Sequence, residues 1–428
     1  MIKLFSTNKK ATDANLKEAV VNGLAPDGGL YFPYEIPKLD KKVLDNLKNL
    51  SLPEIGVEVA RPFLKGLASD QEVDHIVHDS INFPVEFTTL NDGTHSMELY
   101  HGPTLAFKDV GARFMSRLLG HFVKNQDKEY HVLVATSGDT GGAVASGFHN
   151  VEGIRVTILF PKDKVSPLQE KQLTTFGGNV QAIEVDGVFD DCQALVKAAF
   201  NDVELKSRLN LTSANSINIA RLLPQSFYYF LCDRFRESDE ELVISIPSGN
   251  FGNLTAGLMA WKMGLPVAKF VAATNDNNVV PSFLKTGEFK PKPSVQTYSN
   301  AMDVGNPSNF PRMLELFNHD LDEMRKMIVG GSLTDKQTIA SMIWCREEND
   351  YLCDPHGAIA WDVLKTVLKP KQQGVFLETA HPAKFSEVVF EAFAEDVPLP
   401  KALAEIKDKK GNAKSCGNNL EELISLIE

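Results

Sequence analysis

From His131 onward the chain alternates short, continuous apolar runs with longer stretches of mixed character, and this alternation limits the fold more than any other feature. "HVLVAT" is followed by the turn "SGDTGG" and the helix-like "AVASGFHN"; then come "IRVTILF", "SPLQEKQLTTFG", "NVQAIEV" and "FDDCQALVKAAF". A second series starts near Leu242 with "LVISIP", the loop "SGNFGN", "LTAGLMAWKMG" and "KFVAAT", and the tail adds "AIAWDVLKTVL" and "GVFLET". Strands that are apolar along their whole length, each followed by a helix, are the pattern of a parallel sheet covered on both faces. Residues 1–92 read differently: "SLPEIGVEVARPFLKGL" and "DQEVDHIVHDSINF" carry apolar residues at helical spacing. The expected class is α/β, with two parallel-sheet domains (93–225 and 226–428, segments free to interleave) behind a mostly helical N-terminal domain.

At 428 residues the chain is too long for one compact core, which agrees with that division. Its net charge of −12 argues against a nucleic-acid or anionic-membrane partner. No apolar run approaches the roughly 18 residues of a membrane helix, and the polar start has no signal-peptide core. Five scattered cysteines fit reduced thiols in a cytoplasm better than a disulfide framework or a zinc site. His75 and His78 are spaced as helix neighbours but have no third ligand, so no metal is expected.

Three segments can carry chemistry. In "YHGPTLAFKDVGAR", Lys108 follows an apolar run directly, so it either snorkels outward or is held inside because its amine has a task. In "IPSGNFGNLTAGL", a buried strand ends in a loop with Gly249 and Gly252 before a small-residue helix. Backbone amides at such a turn, with the positive end of the helix dipole, can cradle a phosphate. A plain tight turn would look the same. "ATSGDTGG" repeats the logic with Ser137, Asp139 and Thr140, and "TSANSINIARLL" gathers Ser213, Asn215, Ser216, Asn218 and Arg221. That last cluster suits a phosphorylated or carboxylated ligand, or else an N-capped helix with an incidental arginine.

A desolvated lysine beside a phosphate cradle that lacks a lysine of its own suits pyridoxal 5′-phosphate, whose aldehyde the amine would take as an imine. The segments "YHGPTLAFKDVGARFM", "ATSGDTGGAVA", "SANSINIARL", "SIPSGNFGNLTAG" and "ETAHPAKF", with "NGLAPDGGLYFP" near the start, resemble the threonine synthase family. The likeness is to its longer branch, found in bacteria and fungi, and extends to about Phe385. It implies the fold of type II pyridoxal-phosphate enzymes and conversion of O-phospho-L-homoserine and water to L-threonine and phosphate, the last step of threonine biosynthesis. By resemblance, Lys108 carries the cofactor and moves protons. Ser248, Gly249, Asn250, Phe251, Gly252 and Asn253 hold the cofactor phosphate, and Thr379 faces the ring nitrogen. Asp139 stands where other branches have an asparagine facing the cofactor, so it either holds a proton there or turns away. Ser137, Thr140, Asn215, Ser216, Asn218, Arg221 and Lys171 are assigned to the substrate.

A serine/threonine dehydratase or a cysteine synthase would share the lysine, but its substrate has no γ-phosphate for an arginine-bearing pocket. A non-catalytic chain of the same fold would not need Lys108, the loop and Thr379 together. A nucleotide-dependent phosphotransferase would need the Walker lysine that is missing here. A monomer or homodimer is expected.

Overall fold

The computed structural model describes residues 1–124, 126–236 and 240–428. Its larger sheet has six strands in the order Ile328–Ser332, Lys269–Thr274, Glu241–Pro247, Gln372–Glu378, His95–Glu98 and Glu86–Thr89. All neighbours are parallel except the last pair, which is antiparallel. The smaller sheet has five strands, all parallel, in the order Ala413–Cys416, Val180–Val185, Ile154–Pro161, Tyr130–Ala135 and Leu211–Thr212. Val132, Val134, Val156, Ile158, Val243 and Ile244 are fully enclosed. Burial on both faces is why these strands read as unbroken apolar runs rather than alternating ones.

The linear division at residues 92 and 225 is crossed. Glu86–Thr89 and His95–Glu98 close one edge of the larger sheet, while the late strand Ala413–Cys416 returns to the smaller one. A sheet edge leaves a row of backbone groups unpaired, and any segment that reaches it can satisfy them. Local sequence pattern does not say which segment will.

Among residues 1–92, the helices Leu52–Leu64 and Asp70–Ser80 each open with a capping box, Ser51 with Glu54 and Ser69 with Glu72. Their apolar stripes, Ile55, Val59 and Phe63 on one and Val73, Ile76 and Val77 on the other, are buried. They share one continuous core with Phe114, Phe148 and Phe227 of the α/β body. Gly56 allows this approach, since a Cβ there would lie 2.9 Å from Phe227 Cδ2. Each enclosed phenyl ring contributes roughly 1.5–3 kcal/mol by leaving water, so this region is bound firmly to the rest. The antiparallel pair Leu4–Ser6 and Tyr31–Pro33 belongs to the same region, and the connection between them brings Leu24 and Gly28 to the wall of the central cleft. Among the described residues no helix is long and apolar enough to cross a membrane.

Candidate active site

The loops that leave the C-terminal ends of Tyr130–Ala135, Leu211–Thr212, Glu241–Pro247 and Gln372–Glu378 open on one cleft of about 520 Å³. Parallel α/β sheets bind ligands at this end of their strands. Lys108, Ser137, Thr140, Asn215, Ser216 and Arg221 line it, as do Gly249, Asn250, Phe251, Gly252, Asn253 and Thr379.

Lys108 opens the helix Lys108–Val123, and the turn before it is held hard. Asp109 accepts hydrogen bonds from Thr104 N at 2.8 Å and Thr104 Oγ1 at 2.7 Å. Leu105 sits at a φ of 58°, a left-handed conformation that is strained for leucine. Phe107 N donates to Thr379 O at 2.9 Å, which ties the lysine turn to the end of the central strand. The Lys108 amine therefore points into the cleft with no hydrogen bond or ion pair among the described residues; its nearest aromatic neighbour is the Phe107 ring at 5.7 Å. Burial pulls its pKa down to about 8, against the Asp139 charge and with help from the Arg221 and Lys384 cations. A fraction of the neutral, nucleophilic amine is thus present near neutral pH.

A second lysine, Lys384, lies behind the first and is fully engaged. Its Nζ bonds Asp139 Oδ1 at 2.6 Å and Thr104 O at 2.9 Å, and Gln169 Nε2 donates to the same Asp139 oxygen at 2.8 Å. Burial works to raise the Asp139 pKa, but Lys384 and Lys108 outweigh it and hold the carboxyl well below the usual range. Asp139 does not line the cleft: of the two orientations expected for it the structure has the one that turns away, toward Lys384, a cation that a reading of its own loop could not reveal.

The loop after Ile246 is shaped by close contacts. A Cβ on Gly249 would lie 2.6 Å from Met302 Cα, so only glycine lets the backbone lie against that strand of chain. Phe251 takes a φ of 59° as the residue before the helix Gly252–Met263. The amides of Gly249, Asn250, Phe251, Gly252 and Asn253 have no hydrogen-bond partner among the described residues. Five free amides beside a helix N-terminus fit a phosphate group. Ser248 stands beneath them rather than in the cleft, its Oγ donating to Asn253 Oδ1 at 3.1 Å, and Asn253 Nδ2 donates to Pro247 O at 2.8 Å.

Across the cleft, Asn215 Nδ2 donates to Ala135 O at 2.9 Å, and Ser216 Oγ accepts from Asn250 Nδ2 at 3.0 Å. These bonds join the loop of Asn215 and Ser216 to both sheets. Arg221 gives Nη1 to Ala214 O and leaves a buried Nε unpartnered, while burial lowers its pKa to about 10. The hydroxyls of Ser137, Thr140 and Thr379 are also without partners among the described residues. Two expected contacts are corrected. Asn218 is an N-cap whose Oδ1 accepts from Ala220 N at 3.0 Å while its Nδ2 bonds Val20 O at 2.9 Å, away from the cleft. Lys171 donates to Lys409 O at 2.7 Å on the outside of the smaller sheet.

Sequence reasoning missed Asp303, Asn306, Ser308 and His356, which also line the cleft. Burial lifts the Asp303 pKa to about 6. Asp354, preceding Pro355 as the N-cap of the helix Pro355–Val367, was the one available signal, since its carboxylate holds His356 Nδ1 at 2.5 Å. His101, by contrast, pairs with the buried Glu98 at 2.9 Å, and His381 Nδ1 accepts from Ala383 N at 3.1 Å. Glu86 joins Glu98 and His101 within 4.8 Å, but Thr88 and Tyr351 also donate to Glu98, so these groups satisfy one another.

This fold, with a lysine amine set opposite an amide cradle, is that of the pyridoxal-phosphate-dependent enzymes, and the family model described as "Pyridoxal-phosphate dependent enzyme" matches residues 96–379. "Threonine synthase N terminus" matches residues 3–81 and "Threonine synthase, C-terminal" residues 357–427. The threonine synthase of Haemophilus influenzae is 44% identical over 407 residues, 94% of each chain, and that of Escherichia coli 42% over 409 residues, 95% of each. The crystal structure of the Escherichia coli threonine synthase superposes with a TM-score of 0.93 at 41% identity over 99% of both chains. The pyridoxal-phosphate-bound threonine synthase of Brucella melitensis gives 0.94 at 32% identity over 100% of this chain and 99% of that one. The chain belongs to the threonine synthase family.

Proposed function

We infer that this cleft converts O-phospho-L-homoserine and water to L-threonine and phosphate, as a carbon–oxygen lyase of threonine biosynthesis. Its cofactor is pyridoxal 5′-phosphate, which when bound withdraws electrons from carbons next to the substrate nitrogen. The observation that carries the reading is a cleft that brings together one amine of lowered pKa, five backbone amides and three hydroxyls without partners among the described residues, and the unpartnered Nε of Arg221.

In this reading Lys108 would hold the cofactor through its aldehyde, and its amine would remove and return protons at the substrate's α- and β-carbons. A pKa near 8 suits both directions of transfer at neutral pH. The amides of Gly249–Asn253 hold the cofactor phosphate, with Ser248 bracing Asn253 from below. Thr379 would offer the cofactor ring a neutral hydroxyl rather than a carboxylate, which would favour elimination over transamination. Arg221 and Ser216 grip the substrate phosphate until it leaves, and Ser137, Thr140 and Asn215 orient the amino-acid end. Asp139 acts at one remove, through Lys384 and through its charge on Lys108. We place the enzyme in the cytoplasm as a monomer or homodimer, without a nucleic-acid or membrane partner; the net charge of −12 supports the last point.

The test is to supply O-phospho-L-homoserine to the pyridoxal-phosphate-loaded enzyme and assay both products. Threonine and inorganic phosphate should appear in equal amounts. Ammonia release from serine or threonine without phosphate chemistry would make it a dehydratase instead.

A further inference from the structure

Arg312 is among the largest side chains that the protein encloses completely, and none of its partners is an acid. Its Nη2 donates to Tyr31 O at 2.9 Å and Ile217 O at 2.7 Å, and its Nε to Tyr31 O at 3.2 Å. Its Nη1 donates to Asn309 Oδ1 at 2.9 Å and Ser216 O at 3.3 Å. Burial lowers its pKa only to about 9, so the guanidinium is charged at neutral pH. A buried cation surrounded by neutral carbonyls is costly, because hydrogen bonds satisfy its donors but not its charge.

The place of that charge is informative. The three backbone carbonyls belong to the N-terminal region (Tyr31) and to the substrate loop (Ser216, Ile217). Asn309 Nδ2 in turn donates to Ser216 Oγ at 3.4 Å, and Asn250 of the amide cradle donates to the same oxygen at 3.0 Å. Asn250 Oδ1 then accepts from Ser308 N at 2.6 Å and Ser308 Oγ at 2.8 Å. Arg312 therefore lies directly beneath the point where the substrate loop meets the cofactor-phosphate loop.

We propose that Arg312 is a positioning residue for the phosphate of the substrate: it fixes the Ser216 loop in the cleft, and its uncompensated charge beneath that loop strengthens the binding of a phosphate dianion above. The proposal rests on the reading of Ser216 and Arg221 as the substrate-phosphate pocket. It accounts for what a purely structural tie would leave unexplained, a charge enclosed without an acid. It also gives the N-terminal region a part in substrate binding, since Tyr31 O is one of the anchors.

The test measures inorganic phosphate binding to the loaded enzyme by titration calorimetry, alongside KM and kcat for O-phospho-L-homoserine. Arg312→Gln should weaken phosphate binding about tenfold or more, raise KM by a similar factor and leave kcat within about threefold. Arg312→Lys, which keeps the charge but not the planar fork, should recover part of the phosphate affinity. A lowered Tm with phosphate affinity and KM both within about twofold of wild type would reduce Arg312 to a fold tie and overturn the proposal. Should Arg312→Gln fail to fold, Arg312→Lys and Asn309→Ala decide: a raised KM in both supports the positioning role, and an unchanged KM in both removes it. Phosphate binding unaltered in Arg221→Ala would instead sink the pocket reading itself, and this inference with it.

Discussion

Two lysines, Lys384 buried and Lys108 half-buried, approach the centre of this enzyme, and they are treated in opposite ways. Lys384 is neutralised by Asp139 at 2.6 Å and donates to Thr104 O at 2.9 Å. Lys108 has no such partner among the described residues, lines the cleft, and has its pKa pushed down to about 8. The pairing of one amine is what frees the other. Asp139 is the acid whose charge acts on Lys108, and if it bonded Lys108 directly the amine would be fixed as a cation. Spent on Lys384 instead, it still offsets part of the burial cost at Lys108 without capturing it.

The contrast can be broken in four ways of decreasing severity. Lys108→Ala should abolish turnover, and appreciable steady-state threonine formation by that variant would contradict the role given to it. Lys384→Met should leave Asp139 as an unpaired buried charge and destabilise the fold by about 3–5 kcal/mol in urea titration. The double variant with Asp139→Asn should recover most of that loss; if it does not, the pair is not coupled as described. Arg221→Ala should raise KM for the phosphorylated substrate about tenfold or more while changing kcat less, because the phosphate is held in ground and transition states alike. An unchanged KM takes Arg221 out of the pocket.

The smallest effect is a pH dependence of the cofactor-free protein. Lys108 gives up its proton near pH 8 when folded but only near its ordinary 10.5 when unfolded. Between those values the unfolded chain binds more protons, so stability should rise with pH across that window, relieving a penalty that is full below it. Urea midpoints on either side of pH 8 should show the rise in wild type and lose it in Lys108→Met.

Much of this was legible in local sequence, and the failures share a cause. Lys108 declared itself because an apolar run leads straight into it, and the amide cradle because two glycines follow a buried strand. Asp139 was left between two orientations because its partner, Lys384, belongs to a distant segment that meets it only in the fold. The segment around Asn218 was read as either a ligand cluster or a capped helix. The structure divides it: Asn218 caps, while Ser216 and Arg221 reach the cleft. Arg312, Asn309 and Ser308 sit in "NPSNFPRML", where nothing in composition or spacing distinguishes a buried network from a surface turn. The return of Ala413–Cys416 to the smaller sheet was illegible for a related reason, since edge pairing is settled by which segment arrives.

The central claim is that the free amine, not the paired one, carries the cofactor. Reduction of the pyridoxal-phosphate-loaded enzyme with borohydride, followed by peptide mass analysis, tests it directly. A pyridoxyl group on Lys108 is the expected result; the same group on Lys384, or on no lysine at all, would contradict the account.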